Sequence, residues 1–159
     1  MNAQKNLLLD IKDLKVHFNI AAKSAWPWTK PLTLKAVDGV DIRLYEGETL
    51  GVVGESGCGK STFARAVIGL VEATDGHVVW LGQDLTKLNH SKMREKRKEI
   101  QMIFQDPLAS LNPRMTVGEI IAEPLKAFYP DLHDDDVKEQ VKLMMTKVGL
   151  LPNVINRYP

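Results

Sequence analysis

A single cysteine among 159 residues excludes any internal disulfide and fits a reducing compartment. No stretch approaches the roughly 18 apolar residues that a membrane-spanning helix needs. The opening MNAQKNLLLD has only three consecutive leucines, too few for the core of a signal peptide. An excess of one charge is also missing. Lys and Arg total 21 against 20 Asp and Glu, a formal net charge of +1, which gives no electrostatic reason to expect nucleic acid. The densest basic stretch, Lys92 to Glu99, is broken by Glu95 and Glu99 and reads as a solvated helix face with local ion pairs. Internal repeats and low-complexity tracts are absent. Apolar residues at 44% and charged residues at 26% leave an ordinary globular composition, long enough for one domain with a core.

Against this plain background one segment is specific. Residues 54–61 read Gly54-Glu55-Ser56-Gly57-Cys58-Gly59-Lys60-Ser61, a complete G-x-x-x-x-G-K-S phosphate loop. Glycines let such a backbone curl so that successive N–H groups point at phosphate oxygens. Lys60 then brings a cation to the β and γ phosphates, and the Ser61 hydroxyl is a ligand for Mg²⁺. At average glycine usage, chance yields this pattern in only about one chain in 200 of this size. The flanks agree. Thr49 to Val53 is a short apolar, β-branched run expected as the strand before the loop. Lys60 to Val71 is expected as a helix whose N-terminus adds its dipole to the site. Cys58 fills an unspecified loop position and reads as a packing residue rather than a nucleophile. These residues point to a nucleoside triphosphate.

Elsewhere, alternation predicts a strand over Leu7 to Ile20, a loop over Ala21 to Leu32 and a second strand over Lys35 to Tyr45. Asp75-Gly76 is expected as a turn, His77 to Leu81 as a strand closed by Gly82, and Ile100 to Phe104 as a short buried strand. The rest reads as helix. Thr116 and Glu119 form a capping box, and Pro124 should kink or split the helix it opens. Asp134-Asp135-Asp136 should supply the next N-cap and an acidic first turn. Val137, Val141, Met144 and Val148 come next as an apolar stripe, with Gly149 as C-cap. One phosphate-loop βα unit with few strands downstream is less than a full nucleotide-hydrolysing fold, so the chain reads as truncated.

The string Ile103 to Glu119, IFQDPLASLNPRMTVGE, resembles the Q-loop region of ABC transporter ATP-binding subunits, with Gln105 as its glutamine. Taken with Ala36–Val40 (AVDGV), Tyr45–Thr62 and Gly149–Pro159, it is similar to the branch that drives oligopeptide, dipeptide and nickel import, above all the F-type subunits of oligopeptide importers. The resemblance covers essentially the whole chain. It implies an α/β phosphate-loop NTPase core of the RecA-like, ABC-ATPase type. An antiparallel β subdomain and the core would occupy about residues 1–105, and the Q-loop with the start of a helical subdomain about 106–159. In that family the signature motif comes directly after the segment ending Arg157-Tyr158-Pro159. The signature, the Walker B aspartate, the catalytic glutamate and the switch histidine have no counterpart in this chain.

The resemblance also implies roles. Gly54, Glu55, Ser56, Gly57, Cys58, Gly59, Lys60, Ser61 and Thr62 would hold the phosphates of ATP. Ser61 and Gln105 would ligate Mg²⁺. Lys60 and Gln105 would serve hydrolysis, Gln105 also reporting γ-phosphate occupancy. Phe18 would stack on adenine, with Trp26 and Trp28 as rivals; Phe18 as a plain core residue stays open. Asp106 to Arg114 would lie near the groove that receives a permease helix, or be only a connector. The implied setting is the cytoplasmic side of the membrane. The partners would be a second homologous ATP-binding subunit, two membrane-spanning permease subunits and, indirectly, a peptide-binding protein. A hydrolysis-incompetent nucleotide-binding fragment is the alternative.

Overall fold

The computed structural model describes residues 5–20 and 32–159. Contacts divide the chain into two compact units, residues 1–100 and 101–159.

The first unit is built on a four-stranded antiparallel sheet in the order β2-β1-β3-β4, with β1 Leu7–Ile20, β2 Leu32–Tyr45, β3 Asp75–Trp80 and β4 Gln83–Asp84. Strict alternation would put Ile11 and Leu14 on opposite faces. Both are buried, along with Val16, because β1 carries one extra residue near Asp13. Ile11 pairs with Ile42 but Leu14 with Val40, and toward β3 Lys12 pairs with His77 but Lys15 with Asp75. Asp13 accommodates the bulge at φ 48°. Gly76 is required opposite it, since a Cβ there would overlap the Asp13 carbonyl. One helix, α1 Lys60–Val67, and a second, α2 His90–Lys96, pack on the sheet. Ala66 from α1 and Met93 from α2 join Ile11, Leu14, Val16, Val37, Val78 and Leu85 in one core. Burial of each large aliphatic side chain there contributes about 1.5–3 kcal/mol. Arg97 Nη2 donates to the Gly69 carbonyl at 2.9 Å, and Lys96 pairs with Glu99 at 3.1 Å.

The second unit holds a short helix α3 Pro107–Ser110, then α4 Val117–Phe128 and α5 Asp134–Lys147. Ala122 packs with Val137, Val141 and Met145, joined by Val154 and Ile155. The capping box is formed as expected. Glu119 N donates to Thr116 Oγ1 at 3.3 Å, and Thr116 N donates to Glu119 Oε2 at 2.7 Å. Hydrogen bonds donated by the Thr116 N–H, then by the Thr116 hydroxyl, hold the Glu119 carboxyl below its ordinary value. The N–H groups of Val117 and Gly118 are satisfied by the carbonyls of Arg157 and Ile155, both at 2.8 Å. At the end of α5, Gly149 sits at φ 76°, and Leu150 N donates back to the Met145 carbonyl at 2.8 Å. That is the Schellman closure glycine favours.

Several sequence expectations are corrected. Residues 49–53 and 100–104 form no strand. Their apolar, β-branched character suits a parallel sheet covered on both faces, and no described strand pairs with either. Val53 is 91% and Ile103 92% exposed. The helix after the loop ends at Val67 rather than Val71, with Gly69 at φ 65° just beyond it. Asp75-Gly76 opens β3 instead of forming a turn, and Leu32, expected in a loop, begins β2. Residues 21–31, with Trp26 and Trp28, lie outside the described residues. Pro124 does not split α4, which runs as one helix through it. The N-cap of α5 is His133, one residue before the acidic run, and Asp134 to Asp136 fill the first turn. The buried α5 stripe is Val137, Val141 and Met145; Met144 is 44% and Val148 73% exposed.

Candidate nucleotide site

The loop from Gly54 leads directly into α1, whose first residue is Lys60. Two of its glycines hold conformations that L side chains rarely adopt, Gly57 at φ 81° and Gly59 at φ 98°. Gly59 is the N-cap of α1 and offers no side-chain acceptor to the first-turn N–H groups, and that turn holds no acidic residue. The donors of Lys60, Ser61 and Thr62, with the positive end of the helix dipole, thus suit an anion from outside the chain. Lys60 Nζ is held inside the curl, donating to the carbonyls of Gly54 at 2.8 Å and Glu55 at 2.6 Å, with Cys58 Sγ at 3.6 Å. Cys58 N closes the turn on the Glu55 carbonyl at 3.4 Å. Ser61 is exposed on the first turn and Cys58 carries an exposed thiol. A Cβ on Gly54 would stand 2.7 Å from Cys58 Sγ, so the two pack against each other as the loop curls.

The loop is seated on the sheet through β2. Between Val16↔Val37 and His17↔Lys35 the ladder gains one residue on β2, and that residue is Ala36. A Cβ on Gly59 would overlap the Ala36 carbonyl oxygen and stand 3.9 Å from Val37 Cγ2. Asp38 has partners on both sides of the bulge: Lys35 Nζ lies 3.0 Å from Asp38 Oδ2 as an ion pair, and His17 Nε2 lies 3.0 Å from Asp38 Oδ1 in hydrogen-bond contact. Hydrogen bonds from Lys35, then His17, hold the Asp38 carboxyl below its ordinary value. Sequence reasoning missed Ala36. A bulge is set by register between two strands, and nothing in the string AVDGV marks it.

The other expected site residues lie on separate elements. Phe18 is on β1 opposite Leu34 and is 40% exposed, so its reading as a plain core residue is set aside. Gln105 is exposed and belongs to the second unit, in a segment without regular structure just before α3. Asp106 Oδ1 accepts from Ala109 N at 3.0 Å, and Asn112 Oδ1 from Arg114 N at 3.1 Å. Asp106 therefore caps the start of α3, and Asn112 shapes the turn that follows it. A groove of about 790 Å³ in the second unit runs along α4, α5, Ile155 and Asn156. None of the expected nucleotide-binding residues lines it.

The G-x-x-x-x-G-K-S string forms a glycine-kinked loop that opens a helix, the arrangement of a phosphate-loop nucleotide-binding domain. The chain belongs to the ABC transporter family, whose profile matches residues 37–158. It is 68% identical to the oligopeptide transport ATP-binding protein OppF of Salmonella typhimurium, across 100% of this chain and 48% of that protein. To OppF of Escherichia coli it is 68% identical across 98% of this chain and 46% of that protein. The chain spans about half the length of the curated relatives it matches. Among solved structures, the dimeric bacterial ABC transporter cassette MJ0796 superposes with a TM-score of 0.79 at 21% identity, over 96% of this chain and 62% of that one. The same cassette in a post-hydrolysis state bound to ADP and Pi gives 0.78 at 21% identity, with the same coverage. At that identity the likeness shows the fold, an ATP-binding cassette of α/β class. Among the described residues no helix is long and apolar enough to cross a membrane.

Proposed function

We propose that this chain is the nucleotide-binding portion of the ATP-binding subunit of an oligopeptide importer, binding MgATP and supplying its hydrolysis to transport. The observation that carries the reading is the 68% identity to oligopeptide transport ATP-binding proteins across the whole chain, joined to a loop whose geometry fits a polyphosphate. The cradle can be tested on its own terms. Gly59 admits no side chain, the first-turn donors have no side-chain cap, and Lys60 Nζ is already directed into the curl. The uncapped donors and the Lys60 ammonium suit an anionic ligand.

In this reading the N–H groups of residues 57–62 orient the β and γ phosphates, and Lys60 exchanges the carbonyls of Gly54 and Glu55 for phosphate oxygens. The Ser61 hydroxyl is a hard donor that would hold Mg²⁺, which when bound neutralises charge on the phosphates, and the exposed Gln105 amide oxygen is a donor of the same kind. Phosphoryl transfer to water asks mainly for positioning and charge stabilisation, which these residues supply. Phe18, half-exposed on β1, would offer its ring to adenine. A second homologous subunit and two permease subunits complete the assembly at the cytoplasmic face. Replacing Lys60 with alanine in the complete polypeptide should abolish peptide uptake; normal uptake by that variant would refute the reading.

A second reading is kept for the isolated 159 residues, that they bind nucleotide without turning it over. Segments 49–53 and 100–104 favour it, because neither forms a strand among the described residues, and the first of them leads directly into the phosphate loop. Sustained ATPase activity of the purified 159-residue chain would exclude it. Whether the cargo is an oligopeptide, a dipeptide or nickel is decided by comparing uptake of labelled forms of each in a strain dependent on the complete protein. Oligopeptide is the expected result.

A further inference from the structure

We infer that Ala36 is a positioning residue for the phosphate loop, acting through its backbone carbonyl. The inference rests on the nucleotide-binding reading and deepens it. Two independent features meet at this residue. It is the extra member of the β1–β2 ladder between His17↔Lys35 and Val16↔Val37. Its carbonyl oxygen also occupies the place a Cβ of Gly59 would need.

A bulge bends its strand and re-aims the groups it carries, and here the re-aimed carbonyl is a wall against which Gly59 seats. Gly59 at φ 98° sets the direction of the peptide that leads into Lys60 and the first turn of α1. Hydrogen bonds to phosphate tolerate only a few tenths of an ångström around 2.9 Å. Removing the extra residue lets Lys35 and Val37 pair with His17 and Val16 in regular succession, which erases the bulge and re-aims the carbonyl facing Gly59. The loop therefore depends on the register of a strand that is separated from it in sequence. Asp38, paired with Lys35 on its own strand and with His17 on the neighbour, clamps the bulge from both sides. The phosphates are the part of the ligand affected, because Gly59 to Ser61 faces them.

The test is deletion of Ala36 in the complete polypeptide, measuring affinity for Mg·ATP by calorimetry and for Mg·tripolyphosphate by competition. The expected result is weakening of at least tenfold for both ligands. Tripolyphosphate reads the loop without any base, so loss confined to Mg·ATP would overturn the proposal, as would unchanged affinity for both. Should the deletion not fold, Asp38→Asn removes the charge that holds Lys35 and weakens the contact to His17 while keeping the strand length. It is expected to weaken both ligands two- to fivefold, and unchanged affinities in that variant would overturn the proposal. If the unsubstituted polypeptide binds no Mg·ATP, the nucleotide reading fails and takes this one with it. Normal binding by unsubstituted and substituted forms alike removes only the positioning role.

Discussion

Alanine at position 59 should damage the loop far more than alanine at position 57, although both glycines sit at positive φ. Gly57, at φ 81°, has nothing within 4 Å of where a Cβ would go. Its substitution therefore carries mainly the backbone cost of placing an L residue in that region, about 1–2 kcal/mol. Gly59, at φ 98°, bears the same cost and a collision with the Ala36 carbonyl. That oxygen belongs to a laddered strand and cannot swing aside as a side chain would. Overpacking of this kind adds about 1–3 kcal/mol. Gly59→Ala should then destabilise by about 1–3 kcal/mol more than Gly57→Ala, read as a larger fall in urea midpoint at unchanged slope. Equal midpoints would show that the Gly59–Ala36 approach exerts no pressure, and the seating of the loop on β2 would have to be abandoned.

The packing and the turns set three further outcomes. Asp84 caps the 3-10 turn Leu85–Lys87. Partial burial works against its charge, yet hydrogen bonds from Thr86, Lys87 and His77 bring its pKa down to about 2 from 3.8. A carboxyl lowered on folding stabilises above its unfolded value, and that stability is lost as pH falls from near 4 to near 2. Lys87 and His77 are solvent-exposed, so Asp84→Asn should cost only about 1 kcal/mol at pH 7 and progressively less as pH falls toward 2. A pH-independent difference in unfolding free energy would contradict this. Leu81 and Gly82 form the two-residue loop between β3 and β4, both at positive φ, 48° and 79°. Leu81→Asn suits that turn and should stabilise by about 0.5–1 kcal/mol; a lowered melting temperature would count against it. Met145, fully buried, should lose about 2–5 kcal/mol on truncation to alanine while exposed Met144 loses under about 1 kcal/mol. Comparable losses in thermal melts would reverse the assignment of the α5 stripe.

Features encoded locally could be read from the sequence. The phosphate loop needs its glycines and Lys60 within eight consecutive positions, and the capping box joins Thr116 to Glu119 across a single turn. Both were legible because their partners are neighbours in the chain. Leu7 to Ile20 was legible as a strand, but the bulge at Asp13 was not, since register belongs to a pair of strands. The runs at 49–53 and 100–104 carry strand composition, yet a strand exists only where another pairs with it. Met144 and Met145 are chemically identical and adjacent, and only the packing of α4 against α5 selects between them. Ala36 is the hardest case, a residue without a functional side chain whose role comes from where its carbonyl is aimed.

The carbonyl bonds of Lys60 bear on every experiment at that position. Its ammonium staples the ends of its own loop, tying Gly54 and Glu55 to the start of α1. The cation that attracts an anion is thus also the cross-link that preorganises the cavity for it. Shortening residue 60 removes a charge and loosens a hinge in a single step. A substitution keeping the charge but altering the reach, such as Lys60→Arg, would separate the two contributions.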